Sequence, residues 1–513
     1  MKRSLRHSFI LVINFLIFQI GISQTVPSVY WYAPEDGGTP RNPERIVKIN
    51  PNEYQIYTAP LLSSLTHAVS RVNLICRNES AVPDTITVHF ETSGGGTRTN
   101  FNDNEFGGMP LRDYIYIRPP GEKWQRVNGH TEGWNTIVSF VAKPGETLVG
   151  MAPWYTYGEY MAYIHELQEN PYLKKTMFGR SDGGREHWML TITDPDVPVA
   201  EKKSFMWLVR KHAYETFSSY AVEGVVSYLL SSDGLEVRRK YIFHVFPMIN
   251  IDGVAQGYEY KGGFRAPDPM STTTAKLIIK LVDEIQPDYL IDWHNWGQPR
   301  NKDRMWYTYT ENGEPSRRAF DVFTQRFPSP RCVGHTWAFE TDPIQLNKLI
   351  RRGTGELETS FPGDNPDTRA TGRYGTLEWG WEMPWWGRDE GDMTQNAIQE
   401  GLWFCKALLE TIDVLKNPAP PEYYEIKQAR LKSGEVFETN VSGTVHVDNP
   451  ECQAIAVGEF TNPIGKTEIV EGNFQGNNTW LIKFSPDTIG EWKYLIRGEG
   501  VEIFQRGRIN CTD

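Results

Sequence analysis

Cysteine is scarce in this 513-residue chain, and its five copies do not cluster. Cys76, Cys332, Cys405, Cys452 and Cys511 include no CxxC pair, which excludes a zinc ribbon and a thioredoxin-like redox motif. Cys452 and Cys511 are the pair an exported chain would join, and the odd count leaves one thiol over. Long basic runs are absent too. The net charge of −11 excludes a nucleic-acid partner, because phosphate binding needs clustered Lys and Arg. Beyond the first residues, no apolar run approaches the ~20 residues a spanning helix requires. Repeats and low-complexity tracts are missing as well.

What is present begins with Lys2, Arg3 and Arg6 ahead of an apolar stretch from Phe9 to Ile20, then Gly21 and Ser23. This reads as a signal peptide over residues 1–23, so a secreted or periplasmic protein without a membrane span after cleavage is expected. The chain as a whole is 39 % hydrophobic and 23 % charged with 45 Gly and 33 Pro, a folded and loop-rich composition long enough for about three domains. Seventeen Trp fit either structural packing or an aromatic cleft for sugars or peptides, and packing is the commoner use.

Residues 24–150 alternate in short runs such as AVSRVNLIC and TITVHFET, broken by clusters like SGGGTRTNFNDN, and predict an N-terminal β-sandwich. From 151 to 416 the texture changes. Apolar strands (MWLVR, YIFHVFPMIN, DYLIDWH) alternate with helical segments (FSSYAVEGVVSYLLSS, TTTAKLIIKLVDEI), which predicts an α/β domain on a mixed sheet. The prolines of 417–424 mark a stiff linker. Residues 425–513 then supply short strands spaced by turns, a small C-terminal β-sandwich.

Chemistry-bearing residues stand at strand ends. MWLVR runs directly into His212 and Glu215, three apart, and DYLIDWH ends on His294 with Asp292 just before it. Sites of open α/β sheets form outside the carboxyl ends of strands, and two His with one Glu leave zinc a fourth position for water. Asp292 is a candidate to fix the His294 ring from behind.

The order of His212-x-x-Glu215, FPMINIDGV, His294 and then an acid in GTLEWGWEMP resembles the zinc metallocarboxypeptidases, closest to their cytosolic-type branch. PWYTYGEYMAYIHEL is similar to that branch's tyrosine-rich entry helix, and FGRSDGGREHWMLTITD to its glycine-rich turn. The similarity covers roughly Tyr30 to Leu415. It implies one zinc per chain held by His212, Glu215 and His294, a general base at Glu378 with Glu382 in reserve, and a peptide substrate, while a glycan-linked substrate is suggested by the missing doublet and the C-terminal module described next. One element of the pattern is lacking: GVAQGYEYKGGFRAPDPMSTT holds no Asn-Arg doublet to clamp a terminal carboxylate, and only Arg265 or Lys261 could replace one of its cations. The C-terminal segments FTNPIGKTEIV and GNFQGNNTWLIKFSPDTIGEWKYLIRG resemble a small β-sandwich module found beside bacterial glycoside hydrolases. Three functions therefore stand: a metallocarboxypeptidase-like peptidase first, then a zinc esterase or deacylase of decorated polysaccharide, then an inactive binding protein.

Overall fold

The computed structural model describes residues 28–39, 43–57, 72–91, 113–133, 135–213, 215–257, 272–296, 306–308, 314–328, 376–384, 392–417, 420, 423 and 425–513. Of residues 296, 306–308, 314–317, 319, 320 and 377–384 it describes the backbone alone.

The central domain is built on seven strands: β1 (Leu173–Arg180), β2 (Glu186–Ile192), β3 (Lys203–Val209), β4 (Tyr241–Phe246), β5 (Tyr289–Trp296), β6 (Trp306–Thr308) and β7 (Leu377–Pro384). Their order across the sheet is β1-β2-β4-β3-β5-β7-β6. The four inner strands β4, β3, β5 and β7 run parallel, while β1, β2 and β6 are antiparallel to their neighbours. This is the mixed sheet expected from the alternating strands and helices. Helices α1 (Tyr157–Glu166), α2 (Thr216–Leu230), α3 (Leu235–Lys240), α4 (Ile251–Gln256), α5 (Thr273–Ile285), α6 (Glu314–Arg326) and α7 (Met393–Leu415) accompany it.

Both faces of the inner strands are covered, which is why MWLV is apolar without alternation. Phe205, Trp207 and Val209 join α2 and α7 in one core, whereas Met206 and Leu208 face α5 in a second. Helix α2 is buried nearly all round because α7 lies directly on it. A side chain at Gly224 would meet the Ile398 carbonyl oxygen at 1.8 Å, and one at Gly401 would meet that of Ala221 at 1.9 Å. These two glycines let the helix backbones touch, and alanine at either position would force them apart.

The N-terminal region is a nine-stranded sheet that folds over, so that Trp31, Ile56, Phe90, Ile115 and Phe140 from its two halves share one interior. It meets the central domain where Asp36 accepts from the first amides of α1, Tyr157 and Gly158. That contact favours the positive end of the helix dipole.

In the C-terminal region a five-stranded and a three-stranded sheet pack around Phe460, Phe484, Trp480 and Trp492. It docks on α6: Tyr423 donates to Asp321 at 2.9 Å, Arg326 pairs with Glu502 at 2.7 Å, and the Gly500 amide donates to the Thr324 carbonyl at 2.9 Å. The expected Cys452–Cys511 bridge is not formed, and both are free thiols. Cys452 precedes the strand Ile455–Thr461, and Cys511 lies on Phe504–Thr512, with Gly490–Glu499 between them in the sheet. Two strand spacings of ~4.8 Å exceed the reach of a disulfide. Seven tryptophans (Trp31, Trp124, Trp154, Trp207, Trp293, Trp480 and Trp492) are buried, which favours the packing reading for this residue type. No helix among the described residues is long and apolar enough to cross a membrane.

Candidate metal centre

The site forms where β3 stops. After the buried run Phe205–Val209 the chain turns sharply through Arg210, which holds φ at +61°, a left-handed value uncommon for a bulky residue. The strain is held by the same residue's side chain. The buried Arg210 guanidinium donates from Nε and one terminal nitrogen to the Ala213 carbonyl, at 2.9 and 2.6 Å, and from the other to Ser219 Oγ at 3.0 Å. Asn250, at the start of α4, braces the turn from the opposite side: its amide nitrogen Nδ2 donates to the Lys211 carbonyl at 3.0 Å. His212 and Glu215 thus sit on a clamped turn, and Glu215 occupies the residue before α2.

Strand β5 delivers the remaining groups. Its register against β3 pairs Leu208 with Asp292 and Val209 with Trp293, so His294 emerges just past the end of β3. His212 Nδ1 lies 2.6 Å from Glu215 Oε1, and His294 Nδ1 lies 3.0 Å from Glu215 Oε2. Behind His294, its Nε2 is 3.0 Å from Asp292 Oδ2, and that same oxygen accepts from Lys211 Nζ at 2.6 Å. Glu215 is 1 % exposed and His212 5 %.

Burial by itself would raise the Glu215 pKa, but the two imidazoles facing it hold the carboxyl well below the usual carboxylate range. Asp292 behaves alike: burial opposes its charge, and His294 with Lys211 outweighs that. An ionised Asp292 takes a hydrogen bond from His294 Nε2–H, the tautomer that leaves Nδ1 able to hold a metal ion. Ligand atoms of His212, Glu215 and His294 all lie within 4.8 Å of one another. Two imidazole nitrogens and a carboxylate, buried and already convergent, fit a zinc ion with one position left for water.

Of the other residues marked in the sequence, Lys261 and Arg265 lie outside the described residues. Strand β7 lies beside β5 in parallel, with Glu382 the register partner of His294 and Glu378 the partner of Leu290. Four residues separate the two acids, about 13 Å along a strand. Lys211, Arg210 and Asn250 carry no part in the sequence-based site. The signal for the first two was visible as a pair of cations abutting an apolar strand, a place where an unpaired charge would be costly.

A mixed sheet bearing a His-Glu-His set at the carboxyl ends of its parallel strands is the frame of a zinc metallohydrolase domain. In agreement, residues 160–334 match the family described as zinc carboxypeptidase, and residues 431–498 match a domain of unknown function, DUF5060. Cytosolic carboxypeptidase 2 of Danio rerio is 27 % identical over 256 residues, covering 44 % of this chain and 35 % of that protein. Cytosolic carboxypeptidase 3 of Mus musculus is 23 % identical over 379 residues, covering 66 % of this chain and 34 % of its own. The chain thus spans about a third of the length of these relatives. Among solved structures, a metallo-carboxypeptidase from Burkholderia cenocepacia superposes with a TM-score of 0.56 at 15 % identity, over 75 % of this chain and 99 % of that one. A metallo-carboxypeptidase from Pseudomonas aeruginosa gives 0.54 at 15 %, over 72 % and 96 %. At such identities the likeness is one of fold.

Proposed function

We propose that this chain is an exported zinc-dependent peptidase of the metallocarboxypeptidase type, cleaving an amide bond by attack of water. The observation that carries this reading is the convergence of His212, Glu215 and His294 on a buried, clamped turn. Zinc bound there would polarise the carbonyl and bring the pKa of its water to about 7. The chain's own residues do the rest. Arg210 and Asn250 fix the turn that presents His212 and Glu215, while Asp292, held by Lys211, keeps the His294 ring in the ligating tautomer.

A general base on β7 takes the proton of the attacking water and passes it to the leaving amine. The order of motifs favours Glu378 for this role, and the register partnership with His294 favours Glu382. Substrate contact belongs to the segment around Lys261 and Arg265. With no Asn-Arg doublet there, a free terminal carboxylate lacks its bidentate partner.

That absence, together with the C-terminal module's resemblance to companions of glycoside hydrolases, supports one second reading: a deacylase or esterase acting on decorated polysaccharide. Hydrolysis of matched free-acid and amidated peptides, run beside acyl esters of uronic and neutral sugars, separates the two. A free-acid preference of about 100-fold, or about 2.7 kcal/mol, establishes carboxypeptidase specificity. Equal peptide rates with faster ester cleavage establish the second reading, and failure on every substrate with zinc bound refutes both.

A further inference from the structure

Between the N-terminal sheet, α1, α2 and the start of α7 lies a cavity of about 390 Å³ that opens to solvent. Trp124, Tyr155, Tyr163 and Tyr220 line it together with seven charged side chains. Tyr155 and Tyr220 meet edge to face at 4.9 Å. Trp124 is 5 % exposed, yet its indole Nε1 has no hydrogen-bond partner, and the same is true of Tyr163 Oη.

Charge in this cavity is unbalanced. Arg118 is taken up by Glu159 at 3.7 Å and by the Trp124 ring, and Lys123 by Asp392 at 2.8 Å. Glu166 and Glu223 then face the space with no cation opposite them among the described residues. One oxygen of Glu223 accepts from the Tyr155 hydroxyl at 2.6 Å. Burial pushes the Glu223 carboxyl up to about 7, the neighbouring Glu159 and Glu166 adding to the rise and the Tyr155 hydrogen bond partly offsetting it. A positive ion in the cavity would relieve that cost.

A bare divalent cation needs six or more oxygens converging on it, whereas here Glu122, Glu159 and Asp392 are each paired with a cation, which leaves Glu166 and Glu223 beside four aromatic rings. Such faces attract organic cations, and the volume lies in the range of small-molecule pockets. We propose that this cavity binds a small organic ammonium ion, its charge between Glu166 and Glu223 and its carbon skeleton against Trp124 and the three tyrosines.

The test is calorimetric titration of the zinc-loaded full chain with 2-aminocyclohexanol, with 1,2-cyclohexanediol as its neutral twin and calcium chloride as the inorganic alternative. Saturable one-to-one binding of the amine is expected, about tenfold or more tighter than the diol, as a charge-assisted contact requires. Glu223→Gln keeps the Tyr155 hydrogen bond and should weaken the amine about tenfold; Glu166→Gln, on the exposed rim, should weaken it less. If Glu223→Gln melts early, the rim variant decides. Absence of binding, a diol that binds as well as the amine, a tighter calcium ion in competition, or variants that bind like the parent would each overturn the proposal.

Discussion

Replacing Asp292 by Asn separates what holds the metal from what holds the fold. In the parent, Asp292 Oδ2 serves two partners, Lys211 Nζ at 2.6 Å and His294 Nε2 at 3.0 Å, and the Lys211 and Asp292 side chains are 8 % and 7 % exposed. An amide oxygen still accepts a hydrogen bond but carries no charge, so the substitution acts twice. It weakens the outer partner of a ligating histidine, a change that costs about 10–100-fold in metal affinity. It also takes from the buried Lys211 ammonium its Asp292 counter-charge, at a cost to the fold of up to about 3–5 kcal/mol. Competition with a chromophoric chelator reads the first quantity, and urea unfolding of the zinc-free protein reads the second. Adding Lys211→Met removes the buried charge as well, so the double variant should regain part of the fold stability while zinc affinity stays low. The two effects therefore part company only if the Lys211–Asp292–His294 chain works as described. Zinc affinity of Asp292→Asn within about threefold of the parent would refute the positioning role, and a double variant as unstable as the single would refute a stabilising Lys211–Asp292 charge pair.

Elemental analysis of the purified parent should find about one zinc per chain, and His212→Ala or His294→Ala should lose most of it, since each removes one of three protein ligands; full zinc in both variants would displace the site. Glu378→Gln and Glu382→Gln are expected to retain zinc, and the one that loses about 100-fold or more in kcat is the general base; two variants with parental turnover would move the base off β7. The fold itself should weaken in acid through His187. This ring is wholly buried against Thr274 and Phe178, and burial pushes its pKa down to about 4 from 6.5. Because the folded state resists the proton, the stability is intact above about 6.5 and lost as pH falls towards about 4, at ~1.4 kcal/mol per pH unit. His187→Gln should flatten urea-midpoint loss across that window, and an unchanged acid limb would show that other groups govern it.

Much of this arrangement was legible in the sequence because local chemistry announced it. Apolar strands covered on both faces read as unbroken runs, so MWLVR and DYLIDWH could be recognised as inner strands and His212, Glu215 and His294 as residues at their ends. The expected module boundaries rest on changes of period and clusters of proline, which are also properties of short segments. The identity of the ligands needs no more than that, since residue type and spacing limit which groups an ion can hold.

Pairings between distant segments were another matter. That Lys211 would find Asp292, and that Cys452 and Cys511 would be parted by an intervening strand, each depend on where the sheet places residues far apart in the chain. The same holds for β7, where a shift of four residues exchanges Glu378 for Glu382 beside His294 without altering the strand's own pattern. Sequence alone therefore determined which chemistry this protein carries, because side-chain type is local. Only the tertiary structure decided which groups back it and which acids crowd the cavity behind α1, because register, burial and charge balance are set by neighbours the chain brings together on folding.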